Sequence, residues 1–145
     1  MRRTAAAALV LMSCAGAKDH SAEVQMSELE QLIATLNEHP DKLHGDDTPS
    51  VMRLIAIGRE ALGPALALMS SPQSDTRMRA QRVLEGVTMA SHGFHRGHGW
   101  SRAGGEAEWK QLWASLGDLD WQAPNAVRAE SVARWRTWLA HSAAP

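Results

Sequence analysis

Apolar residues in this chain recur at helical spacing over most of its length, and the stripes break at prolines and glycines. From Ala22 to Asn37 the apolar positions Leu29, Leu32, Ile33 and Leu36 fall on one helical face. Pro40 closes that stretch, and residues 41–47 read as a polar loop around Gly45. Thr48-Pro49 supplies an N-cap followed by a proline at the first helical position, opening a helix with Val51, Leu54 and Ile55 inward that stops at Gly58. The next stripe is Leu62, Ala65, Leu66 and Met69, with Pro64 tolerable only in its first turn. After the break at Ser71-Pro72-Gln73-Ser74, a helix capped by Ser74 or Asp75 turns Ala80, Val83, Leu84 and Val87 inward.

Beyond residue 90 the texture changes. Gly93, Gly97, Gly99 and the Gly104-Gly105 pair exclude a helix and predict a shaped loop. A helix over about 106–116 places Trp109, Leu112, Trp113 and Leu116 on one face, with a Glu106–Lys110 pair outside and Gly117 at its C-terminal cap. A turn-rich connection holding Trp121 and Pro124 leads to a last helix, 126–141. That helix gathers Val132, Trp135, Trp138 and Leu139 and leaves Arg128, Arg134 and Arg136 outside. The fold class is therefore all-α.

Two segments resemble a known family. Residues 57–69, Ile-Gly-Arg-Glu-Ala-Leu-Gly-Pro-Ala-Leu-Ala-Leu-Met, look like the second helix of a bacterial HEAT-like repeat, with its small-residue turn and early proline. Residues 75–84 are similar to the first helix of the following repeat: Arg77, Ala80 and Leu84 match its pattern, while Thr76, Gln81 and Val83 depart from it. The resemblance covers residues 48–89 and implies a short HEAT-like stack of antiparallel helix pairs that serves binding. Such arrays need covered ends. With about two pairs in 22–89, the Trp-rich segment 90–145 is the expected cap.

All six tryptophans lie between residues 100 and 138, alongside one Phe and no Tyr. Helical spacing assigns Trp109, Trp113, Trp135 and Trp138 to the core, where each buries about 200 Å². Trp100 and Trp121 fall in loops and are the candidate exposed anchors of an interaction surface.

The first 14 residues have a different character. Arg2-Arg3, nine uncharged residues and then Ser13-Cys14 form the n- and h-regions of an export signal, too short to span a bilayer. Leu11-Met12-Ser13-Cys14 resembles the lipobox of bacterial lipoproteins, which implies lipidation of Cys14, the chain's one cysteine, and anchoring to a membrane. Residues 15–21 then form a tether. The competing reading is Ala15-Gly16-Ala17 as an ordinary cleavage site, releasing a soluble exported protein. Either way the expected place is the bacterial cell envelope, facing the periplasm or exterior.

Processing leaves about 125 residues, enough for one domain with a core of its own. Without Arg2 and Arg3, the 15 Lys and Arg become 13 against 16 Asp and Glu, a net charge of −3 that gives no reason to expect a nucleic-acid partner.

Chemistry has few candidates. His92, His95 and His98 sit three apart, and three imidazoles around an open position can hold zinc, copper or nickel. Arg96 puts a cation among them, and a glycine-rich loop holds ligands poorly, so no metal and no cofactor is expected there. Glu106, Glu108, Asp118 and Asp120 near Trp100, Trp109 and Trp121 invite a glycosidase reading, but Glu106 and Glu108 point to different faces of their helix. No nucleophile elbow, P-loop or dinucleotide fingerprint is present. The expectation is a non-catalytic helical scaffold binding an envelope protein or peptide, with a metal-binding envelope protein built on the three histidines as the alternative.

Overall fold

The computed structural model describes residues 28–142; the lipobox, the Ala17 cleavage site, the tether and the expected helix start at Ala22 lie outside them. The described chain is all-α apart from one minimal hairpin. Helix α1 covers 28–34, α2 Pro49–Ile57, α3 Leu62–Leu68, α4 Ser74–Ser91, α5 Gly105–Ser115 and α6 Asn125–Ser142, with a 3₁₀ turn at Arg59–Ala61. Strands β1 (Phe94–His95) and β2 (Gly99–Trp100) pair antiparallel, Phe94 opposite Trp100.

Helix α1 ends about three residues before the expected Asn37. Local hydrogen bonding is the cause: Leu36 N–H turns to the Ile33 carbonyl in a tighter i→i+3 bond, and the Leu36 carbonyl accepts instead from the Thr48 hydroxyl at 3.0 Å. The same hydroxyl caps α2 by accepting from Val51 N–H at 3.1 Å. One side chain thus ends one helix and starts the next, with Pro49 pre-set for the first turn behind it.

Helix α4 corrects another expectation. Its N-cap is Gln73, whose side chain accepts from the Thr76 hydroxyl at 3.0 Å and makes no bond to a first-turn backbone N–H, and neither Ser74 nor Asp75 performs the capping role. Ser74 is already helical, and Asp75 complements the helix dipole from within the first turn. Pro64 falls in the first turn of α3, where its missing N–H costs nothing.

The end of α5 follows its sequence closely. Gly117 N–H reaches the Ala114 carbonyl and Asp118 N–H the Trp113 carbonyl, the two bonds of a Schellman ending, with Gly117 at φ 91°.

Helices α2 and α3 pack on α4, α6 packs on α3, and α5 lies against α4. The buried apolar residues form one cluster that draws on both halves of the chain: Val51, Leu54, Leu66, Val83 and Leu84 from the first, Leu116, Leu119, Val132 and Trp135 from the second. Trp135 is fully buried. The tryptophan-rich segment therefore shares a core with the helix pairs: Leu112, Trp113, Trp138 and Leu139 pack half-buried against it, whereas Trp109, expected in the core, is half-buried outside that cluster.

Candidate functional site

Five of the six tryptophans and the single phenylalanine form a continuous run of ring contacts. It passes from Phe94 to Trp100, Trp109, Trp113, Trp135 and Trp138 with centroid separations of 5.2, 6.1, 5.6, 5.2 and 5.6 Å. The contacts of Trp135 with Trp113 and Trp138 are edge-to-face, the favoured geometry for ring quadrupoles. Trp109 Nε1 donates to the Thr88 hydroxyl at 3.0 Å, tying the run to α4.

The run ends at an open groove of about 410 Å³ where α2, α4 and α6 finish. Ile55, Ala56, Leu62, Val87 and Trp138 give it apolar walls, and Arg59 is the one charged lining residue among the described residues. The Arg59 guanidinium lies 5.9 Å from the Trp138 ring centroid and donates from Nη2 to the Leu139 carbonyl (3.2 Å) and to Ser142 Oγ (3.3 Å). Gly58, at φ 86°, makes the sharp turn that delivers Arg59 to this position.

The groove escaped the sequence reading. Arg59 and Trp138 are nearly 80 residues apart, and neither stands in a local pattern that marks the other. The local signal is Gly58, which in the sequence marks just the end of a helix.

The expected interaction residues divide. Trp121 is half-buried and packed on the core; its N–H donates to Gln81 Oε1 at 2.7 Å, and its carbonyl accepts from Arg77 at 3.0 Å. Its backbone clamps the 118–124 connection to α4. Trp100 is also half-buried, but it borders an open trough of about 440 Å³ with Arg102, Gly104, Glu106 and Lys110.

The histidines are not brought together: among the described residues no three His, Cys, Asp or Glu side chains form a group that could hold a metal ion. His92 Nδ1 bonds the Thr88 carbonyl at 2.7 Å at the end of α4, while His95 and His98 are exposed on the hairpin. The carboxylates are likewise separate: Glu106 pairs with Lys110 at 2.6 Å, and Glu108 with Arg102.

The strongest electrostatic feature lies on the α2–α4 side. Asp47 is buried, with Arg96 Nη2 at 2.5 Å and Arg82 Nε at 3.3 Å from its carboxylate. Burial pushes the Asp47 carboxyl up, but the hydrogen bonds and charges of Arg96 and Arg82 outweigh it and hold the group below the usual carboxylate range. Arg79, also buried, donates twice to the Gly45 carbonyl and once to Asn37 Oδ1 at 2.7 Å. These cations pin the 41–47 loop.

No protein-family model, curated protein or solved structure matches this chain.

Proposed function

We propose that this chain is a non-catalytic interaction scaffold of the bacterial cell envelope, held at a membrane by lipid on Cys14. Its helix pairs then act as a short HEAT-like stack, and the groove at the ends of α2, α4 and α6 takes an apolar segment of a partner protein. The observation that carries this reading is the groove: an open, apolar concavity bordered by Trp138 and one arginine, the residue types enriched where protein partners dock. The Arg2-Arg3 start, the short apolar run and Cys14 support the location. Among the described residues no helix is long and apolar enough to cross a membrane, which is compatible with anchoring by lipid.

A photo-crosslinking residue at Ala56, exposed on the groove wall, tests the reading in the native host. A discrete protein adduct is expected, reduced several-fold when Trp138 is changed to Ala in the same chain. A crosslinker at exposed Glu130, away from the groove, should give no such adduct. An Ala56 adduct that persists unchanged in the Trp138→Ala background would show that the groove is not the docking site.

A further inference from the structure

We infer that the trough beside Trp100 is a binding site for the uncharged ring of a glycan. This inference stands apart from the groove and would survive its failure. Its first ground is the state of the indole. Trp100 is held from behind by Phe94 at 5.2 Å and Trp109 at 6.1 Å, and the start of α5 lies against its ring. The hairpin fixes its backbone by pairing it with Phe94. An aromatic face that is locked before the ligand arrives loses little rotamer freedom on binding.

The second ground is the charge balance around that face. The trough is lined by Arg102, Gly104, Glu106, Ala107 and Lys110. Each charge there already has an opposite partner: Lys110 meets Glu106 at 2.6 Å, and Arg102 meets Glu108. A free anion or cation would have to break a pair. All four of these side chains are about half exposed or more, so their outer donors and acceptors face solvent. A ligand suited to this surface has an apolar C–H face for the indole and hydroxyl or amide groups that both donate and accept at its edges. Pyranose rings have that construction. Gly104, without a side chain, and Ala107, with only a methyl group, put little bulk in the way of a pyranose chair.

The third ground is the size and shape of the trough. At about 440 Å³ and open to solvent, it suits a short oligosaccharide lying along the surface more than a small molecule enclosed on all sides.

Proton–nitrogen spectra of the full chain separate the tryptophan indoles, and the Trp100 signal is identified by its loss in Trp100→Phe. Triacetylchitotriose and maltotriose serve as sugar probes and inorganic phosphate as the ionic control. With at least one sugar the Trp100 indole signal should move and saturate, with half-saturation on the order of 1 mM, while the signals of Trp121 and Trp135 stay in place. Lys110→Ala, a change at an exposed position, should weaken binding about three- to tenfold without altering the other indole signals. Trp100→Phe should keep weakened binding, followed through the backbone amides of Gly104 and Ala107. No movement with either sugar up to about 20 mM would overturn the proposal. So would a Trp100 response to phosphate alone, or sugar binding in Lys110→Ala and Trp100→Phe as strong as in the wild-type chain.

Discussion

Asp47 and Arg96 meet at 2.5 Å although 49 residues separate them, and the pair joins the loop before α2 to the glycine hairpin after α4. The Asp47 carboxylate is nearly buried, whereas half of the Arg96 side chain is exposed. Loss of Arg96 would therefore leave the more desolvated partner, whereas loss of the acid leaves Arg96 half in solvent and takes one carboxylate from Arg82.

Because the folded state holds the Asp47 carboxyl below its ordinary value, its stabilisation is complete above the unfolded carboxylate range and is lost as pH falls through the lower folded value. Asp47→Asn should cost about 1–3 kcal/mol at pH 7, with the gap to wild type closing toward pH 3. Glu85 acts the other way: burial pushes its carboxyl up, so its ionised form costs stability at neutral pH, and that cost disappears on acidification. Urea midpoints of both proteins across pH 3–7 check the difference. A constant gap over that range would remove Asp47 from the account of acid sensitivity.

Gly105 is required by the close approach of α5 to the end of α4. A β-carbon there would lie 2.2 Å from the His92 carbonyl oxygen, which is backbone and cannot yield. Gly105→Ala should destabilise by about 3 kcal/mol, at the upper end for overpacking. Gly63→Ala, on a helical residue with open space around its α-carbon, should be neutral or slightly stabilising. Thermal midpoints of the two variants separate packing from glycine content. Equal midpoints would contradict the packing described here.

Much of this architecture was legible in the sequence. Helices α2 to α6 follow from apolar spacing, and Thr48-Pro49 and Gly117 fixed two of their ends, because caps and Schellman turns are decided by residues close in sequence. The end of α1 was misplaced because the group that captures the Leu36 carbonyl is Thr48, twelve residues on. The cap of α4 failed for a simpler reason: serine and aspartate have strong capping preferences, but here both lie inside the first turn. The groove was hidden because nothing near Arg59 in sequence announces Trp138.

Anchoring is independent of the fold and can fail independently. Labelled palmitate should enter the wild-type chain grown in its native host, and Cys14→Ala should abolish the label and release the protein from the membrane fraction. A native N-terminus at Lys18 would establish soluble export after cleavage at Ala17 instead.

The groove requires the helix pairs and the tryptophan segment to fold as one unit, and Trp135 is the residue that joins them. Its ring is fully buried, and its indole nitrogen has no hydrogen-bond partner among the described residues. Trp135→Ala removes a large buried aromatic and should cost about 3–5 kcal/mol, whereas Trp135→Phe also removes an unmet donor and should cost clearly less. The decisive measurement is thermal unfolding of Trp135→Ala followed by far-ultraviolet circular dichroism and by tryptophan fluorescence. Coincident single transitions, both shifted down, are the expected result. Two separate transitions, with the 28–90 helices melting as in wild type, would contradict the shared core and with it the groove.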